Sequence, residues 1–254
     1  MRIGYLDCFS GISGDMYLGA LVDAGVPLEL LAMTAAALDI GAQLTARKVT
    51  RGGIAATKVD VLTDESSPDQ TSAHNHTHDH SHDHGSGHAD DNEHGHAHTH
   101  EPTPTRTHSH ASHRSLSAIL KIIDVAPFSD AVKTGSKMAF QLLGQAEAGI
   151  HAISVDNVHF HEIGGVDTIV DIVCAAAGCE ALGVDRWMSS ALNVGSGTVD
   201  CAHGTLPVPA PATLALLGNA PIYAAGPPME RITPPGAAIL GMLQVKYGTL
   251  PPMR

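Results

Sequence analysis

The run from Val158 to Val173 gathers two imidazoles and three carboxylates, His159, His161, Glu162, Asp167 and Asp171, among mostly apolar neighbours. In an extended segment a His-x-His pair sends both rings to one side, because strand side chains repeat every second residue. Gly164-Gly165 then punctuates the chain, and the residues from Val166 onward predict a helix on which Asp167 and Asp171, four apart, share a face. Asp171 stands between Ile169-Val170 and Ile172-Val173. A carboxylate in such a frame is at least partly buried, which is costly without a proton, a partner or a metal. Imidazole and carboxylate together suit a divalent cation, and a desolvated carboxylate suits proton transfer. The same residues also fit a scaffold, with Asp167 capping the helix and the histidines bonding backbone carbonyls.

A second group sits near the start. Arg2 to Asp7 predicts a short central strand, Cys8 to Gly14 a loop of small residues, and Asp15 to Val22 a helix. A strand, a Ser/Gly loop and a helix N-terminus make an arrangement in which free amides meet a phosphate or carboxylate. Ser10, Gly11, Ser13, Gly14 and Asp15 are the candidate ligand contacts, although the run matches neither the P-loop nor the GxGxxG fingerprint. A plain strand-to-helix turn is the competing reading. Gly11 and Gly14 are expected to let the backbone approach that ligand, so that Gly11→Val would fold and fail to bind. Asp7, at the carboxyl end of the strand, occupies the position where α/β proteins place functional acids. A third candidate is His203, aimed by the proline-rich run His203 to Thr213.

The remaining segments supply the frame. Helices are expected at about Leu28–Leu38, Leu116–Ile123 and Asp130–Ile150, and from the Gly164-Gly165 break to about Leu182. Residues 43–49 and 54–62 alternate around Arg51-Gly52-Gly53 and predict a β-hairpin. Asp185 to Val194 reads as a strand, Pro211 as a helix start, Ile222 as a last strand, and Thr233 to Leu240 as a loop entering a helix. The expected class is α/β, with α+β as the variant: a mixed sheet packed with helices.

Of 254 residues, 43% are apolar but only 4% aromatic, which favours close helix–sheet packing over an aromatic-rich β sandwich. The net charge of −12 argues against nucleic-acid binding. Cys8, Cys174, Cys179 and Cys201 lack the spacing of a disulfide framework or a zinc knuckle. With no signal peptide and no membrane-length apolar run, a cytoplasmic protein with no membrane partner is expected. From Asp64 to His113 no Val, Ile, Leu, Met, Phe, Trp, Tyr or Cys occurs, so this stretch is expected to form no packed structure. The organisation read from this is residues 1–63 and 114–254 in the folded body, with 64–113 as a His/Asp-rich insertion. The insertion holds 14 of the 18 histidines. His74, His76, His78, His80, His82, His84, His94, His96, His98 and His100 form alternating His-x-His runs that bind borderline divalent metals such as nickel, zinc and copper. A floppy ligand set fixes no single geometry, so this tract reads as a store rather than a catalytic centre.

Three blocks carry a resemblance over nearly the whole chain, in order: Asp7 to Met16, His159 to Gly164 with Asp167 and Asp171, and His203 to Thr213. They resemble the LarC family of nickel insertion proteins, as does the His-rich insertion. The resemblance implies nickel insertion into pyridinium-3,5-bisthiocarboxylic acid mononucleotide, a chelatase reaction of the lyase class. The product is the nickel-pincer cofactor of lactate racemase-like enzymes, whose apo forms are then partners. It also implies use of CTP with Mn(II) or Mg(II), and a C-terminal CTP-binding domain or partner subunit without which this chain is incomplete. An oligomer is expected. The family usually has Thr-Pro-Thr-Gly-Ala where this chain has Thr233-Pro234-Pro235-Gly236-Ala237, so a hydroxyl is missing at Pro235.

Within that chemistry His159 and His161 are the candidate exchangeable Ni(II) ligands, and Glu162, Asp167 or Asp171 the candidate base for the pyridinium C4 proton. Asp7 is a further catalytic acid. The Ser10 to Gly14 loop with Asp15 and His203 is the candidate nucleotide site. His159, His161 and Asp171 are expected to converge beside Asp7. The rival reading is a nickel metallochaperone or storage protein with no chemistry of its own. Removing residues 74–113 should lower the nickel stoichiometry measured by calorimetry, and an unchanged stoichiometry would remove the tract from metal binding. In the intact chain the affinity of those sites should fall below about pH 6.5, where imidazolium no longer ligates.

Overall fold

The longest uninterrupted buried segment is the helix α5 (Val166–Leu182), whose residues from Thr168 to Gly178 are buried with the single exception of Asp171. A helix that is apolar on all sides belongs inside a protein. In the computed structural model, which describes residues 1–51, 53–63, 114–160, 164–201 and 203–252, α5 is the axis on which the other helices pack. These are α1 (Gly14–Asp23), α2 (Leu28–Ala37), α4 (Asp130–His151) and α7 (Pro234–Met242). The short helices α3 (Leu116–Val125) and α6 (Pro211–Leu217) lie against α4. Ser129 caps α4 by accepting from Val132 N (3.2 Å), Ser115 caps α3 by accepting from Ala118 N (3.2 Å), and Thr233 caps α7 by accepting from Gly236 N (3.3 Å). Small residues set the spacing: a Cβ on Gly178 would lie 2.6 Å from Leu21 Cδ1, so α1 and α5 pack this closely because that methyl is absent.

The class is α/β, with the strands shared among several small sheets. β1 (Ile3–Leu6), β6 (Arg186–Ser189) and β11 (Lys246–Tyr247) form a parallel sheet in the order β1-β6-β11. β7 (Leu192–Asn193) and β10 (Ile222–Tyr223) make a second parallel pair. The strand expected over Asp185 to Val194 is thus divided between two sheets. At the break, Ser190 Oγ accepts from Cys8 N (2.9 Å) and donates to Ala191 O (2.8 Å), which takes residues 190–191 out of the ladder.

The antiparallel pairs are local. β2 (Ala42–Arg51) and β3 (Ile54–Thr63) form the expected hairpin, with Arg51 opposite Ile54. It is lashed to α1 by Asp23, which accepts from Lys48 Nζ (2.6 Å) and from Thr57 Oγ1 and N (2.6 and 2.8 Å). The Lys48 ammonium first, and then Thr57, hold the Asp23 carboxyl at about 2. β4 (Arg114–Ser115) pairs with β5 (His159–Phe160), and β8 (Thr198–Cys201) with β9 (Gly204–Pro207). The last pair corrects the reading of His203 to Thr213 as one stiff loop: its first part is a hairpin strand, and only residues 208–210 link it to α6.

Gly11 also has a different reason from the one its sequence suggests. It adopts φ +83°, and a Cβ there would lie 1.9 Å from Arg231 O. The approaching backbone belongs to the chain itself, where Ile12 N donates to Arg231 O (2.9 Å) and Thr233 N to Ile12 O (3.2 Å). Gly11→Val should therefore unfold the protein rather than spare it, losing about 2–5 kcal/mol from backbone strain and overpacking together. Gly25→Ala, at φ +105° but with open space around its Cβ, is the control and should lose only the strain component in urea denaturation.

Candidate functional site

Asp171 leaves the otherwise buried surface of α5 where the start of α1 crosses it. A Cβ on Gly14 would lie 2.1 Å from Asp171 Oδ2, so the carboxylate rests directly on the Gly14 backbone. Its Oδ1 is buried and has no hydrogen-bond partner among the described residues. Burial first, and then the charges of Asp15 and Asp167, push this carboxyl up to about 8. The rest of the side chain opens into a cavity of about 330 Å³ that Asp15, Asp60, Asp167 and Thr233 also line. Ser13 Oγ donates to Asp15 Oδ1 (2.5 Å), and Lys58 Nζ lies 2.6 Å from Asp60 Oδ1. Four carboxylates on one small chamber create a field that attracts cations, although among the described residues no three His, Cys, Asp or Glu side chains stand ready to hold one metal ion.

A second, larger cavity of about 620 Å³ shares the Ser13, Asp15 and Thr233 wall and adds Ser10, Lys58 and Arg231. The third, about 210 Å³ and mostly apolar, contains His203, His151 and Cys201. The two imidazole rings there are 4.9 Å apart, and His151 Nε2 lies 3.4 Å from Glu147 Oε2. Burial raises the Cys8 and Cys174 thiols, and takes Cys179 to about 11, so none of the three supplies a thiolate at neutral pH.

An acid chamber thus lies beside a cavity that holds the Arg231 guanidinium. The profile described as "Nickel insertion protein" matches residues 4–254. The chain belongs to the nickel insertion protein family. It is 42% identical over 255 residues to the pyridinium-3,5-bisthiocarboxylic acid mononucleotide nickel insertion protein of Geobacillus kaustophilus (strain HTA426), covering 100% of this chain and 54% of that one. To the protein of the same name from Desulfitobacterium hafniense (strain Y51) it is 41% identical over 255 residues, covering 100% and 52%. A putative nickel insertion protein of Geotalea uraniireducens (strain Rf4) is 38% identical over 257 residues, at 100% and 55%. The chain spans about half the length of these curated relatives. No solved structure matches it.

Within this nickel insertion family member the structure unites some predicted residues and separates others. Asp15, Asp167, Asp171, Ser13 and Gly14 meet at the acid chamber. Asp7 and His159 do not line it. Asp7 is exposed beyond the end of β1, and His159 is exposed on β5, where its strand neighbour Phe160 takes the buried side. The expected convergence beside Asp7 is therefore corrected for these two. His161, Glu162 and the histidines from His74 to His100 lie outside the described residues. Gly165, not Asp167, occupies the cap position of α5, and no side chain caps that helix.

Two amides of the loop from Ser10 to Gly14 are already used, Gly11 N donating to Cys8 O (3.0 Å) and Ile12 N to Arg231 O, while Ser10 and Ser13 line the cavity of about 620 Å³. His203 lies in the apolar cavity, away from both others. Sequence reasoning missed Asp60, Lys58, Arg231 and His151. For Lys58 and Asp60 the alternation of β3 was a usable signal, and for His151 the i, i+4 spacing from Glu147.

Because the folded carboxyl of Asp171 titrates near 8 and an unfolded one near 3.8, the native state holds the extra proton between those values. Stability should thus fall as pH rises from about 4 to 8 and level off above. Asp171→Asn removes that slope. Relative to the parent, its unfolding free energy should gain with pH, by an amount on the order of 2–4 kcal/mol between pH 5 and pH 8.5. Parallel melting profiles would contradict the buried carboxylate.

Proposed function

We propose that this chain inserts nickel into pyridinium-3,5-bisthiocarboxylic acid mononucleotide, making the nickel-pincer cofactor used by lactate racemase-type enzymes. The observation that carries the reading is Asp171: a proton-holding carboxylate, seated on Gly14 with one oxygen unpartnered, that faces an acid-lined chamber in a member of the nickel insertion family. Insertion forms two nickel–sulfur bonds and one nickel–carbon bond, and it releases one proton from C4 of the pyridinium. Nickel is the second substrate. The carboxylates that line the chamber concentrate it there. Asp171 takes the C4 proton. Its raised pKa matches that task near neutral pH, and Asp15 and Asp167 sit between it and solvent as the way out.

A storage or carrier role needs no desolvated carboxylate, so Asp171 favours chemistry over carriage. CTP with Mn(II) or Mg(II), an oligomeric assembly and an apo-enzyme recipient belong to the proposed full reaction. We assign CTP to a C-terminal part like the one the longer relatives have room for. The free cysteines fit a reduced, cytoplasmic setting, and among the described residues no helix is long and apolar enough to cross a membrane.

The test is incubation with nickel, CTP, manganese and the bisthiocarboxylate nucleotide, with and without a C-terminal half from a relative, scored by mass of the nickel adduct. Insertion should rise about tenfold per pH unit up to about pH 8 and then plateau, because Asp171 must be ionised to accept the proton. Asp171→Asn should slow it about 10²–10⁴-fold while nickel still binds. Insertion by that variant at the parent rate would refute the assignment, and nickel binding without any adduct would leave a carrier.

A further inference from the structure

Next to the acid chamber lies a guanidinium that the chain itself does not pair. Arg231 lines the cavity of about 620 Å³. Its Nε is buried without a hydrogen-bond partner, and among the described residues no carboxylate forms an ion pair with it. Its backbone is fixed on both sides, with Arg231 N donating to Val194 O (3.3 Å) and Arg231 O accepting from Ile12 N (2.9 Å).

Its side chain is held by two glycines with positive φ. A Cβ on Gly195 (φ +83°) would lie 3.1 Å from Arg231 Cγ, and one on Gly226 (φ +84°) 2.6 Å from a terminal guanidinium nitrogen. Any other residue at 195 or 226 would push the arginine out of its seat. A cation desolvated at one nitrogen, immobilised and left unpaired is costly unless an anion completes it.

The surroundings select the kind of anion. Hydroxyls of Ser10, Ser13, Thr57 and Thr233 line the same cavity, as does Lys58. Carboxylates line it too, but Asp23 is taken by Lys48 and Thr57, Asp15 by Ser13, and Glu230 has a partner of its own, while Lys58 is engaged by Asp60 at 2.6 Å. A guanidinium fork beside the hydroxyls of Ser10 and Thr233 is an arrangement that recognises a phosphate monoester.

We infer that Arg231 receives the phosphate of the pyridinium mononucleotide, with the ribose passing Ser13 and Thr233 so that the ring reaches the Asp171 chamber. Ser13, Asp15 and Thr233 line both cavities, so they are the residues past which such a ligand would run from one to the other. The unpaired guanidinium orders it: phosphate at Arg231, nickel-binding sulfurs at the acid chamber. This rests on the function proposed above, and it moves the phosphate from the Ser10–Gly14 amides to a side chain one segment away.

The test is binding, by calorimetry on the intact chain, of nicotinic acid mononucleotide, its nucleoside, inorganic phosphate, CMP and CTP. The parent should bind the mononucleotide at least tenfold tighter than the nucleoside, with phosphate competing. In Arg231→Met that preference should vanish through a 10- to 100-fold loss for the mononucleotide and none for the nucleoside. Arg231→Lys should recover part of it, and melting curves of both variants verify the fold. In the insertion assay the same loss should appear in KM for the mononucleotide and leave kcat within a few-fold.

Equal mononucleotide binding by the parent and Arg231→Met would overturn the inference. CTP bound tighter than the mononucleotide, with Arg231→Met losing it, would overturn the assigned source of the phosphate. Phosphate binding lost in Arg231→Met, with CMP bound as well as the pyridinium mononucleotide, would keep the anion site and overturn instead the function on which it rests.

Discussion

The contact of the Asp171 carboxylate with the bare Cα of Gly14 decides where everything else in this protein stands. α5 is buried along the stretch that carries Asp171, and a carboxylate can leave that surface only where a neighbouring element gives it room. Gly14 gives that room at the first residue of α1, and the next residue, Asp15, brings a second carboxylate to the same edge. Asp167 adds a third, one helical turn back on α5. The like charges and the burial act in one direction, so the site stores a proton near neutral pH. A methyl group on Gly14 would separate the two helices and disperse the cluster.

That contact explains what could be read from the sequence and what could not. The helical face shared by Asp167 and Asp171 follows from spacing alone, as do the hairpin of β2 and β3 and the Pro-led start of α6. Partial burial of Asp171 follows from its four β-branched neighbours. The meeting of Gly14 with Asp171 does not follow, because it joins residues far apart in the chain, and a glycine in a Ser/Gly loop suggests a ligand before it suggests a neighbouring helix. Gly11 misleads in the same way: its positive φ and its close neighbour are both real, but the neighbour is Arg231 O.

The histidines show the opposite limit. A His-x-His pair fixes sidedness only if the segment is extended and has a core beneath it. β5 is extended at His159 and Phe160, and there the aromatic residue takes the core while the imidazole faces out. The period of two was legible, but which phase of it would be buried was set by packing: Phe160 meets the Phe140 ring at 6.4 Å. Arg231 was beyond reach for a similar reason. Nothing in its neighbours marks it, because its isolation depends on a floor made by Gly195 and Gly226.

The segment from Met229 to Pro235 contributes to the lining of all three cavities. Arg231 faces the cavity of about 620 Å³, Pro234 the apolar one, and Pro235 the acid chamber, while Thr233 serves both polar spaces. Bridges from Ile12 to Ile232 and from Gly195 to Glu230 hold the segment at two points, so it acts as a wall rather than a lid. Pro235 sits in the first turn of α7, where its missing N–H costs no helical bond and its fixed φ stiffens the helix start. A threonine there would present a hydroxyl to the carboxylates. With proline in its place, Thr233 is the segment's only hydroxyl on the acid chamber, and its oxygen already accepts from Gly236 N to cap α7. Its hydrogen remains free to donate, so on that side of the chamber the Thr233 hydroxyl is the donor that this segment sets opposite the carboxylates.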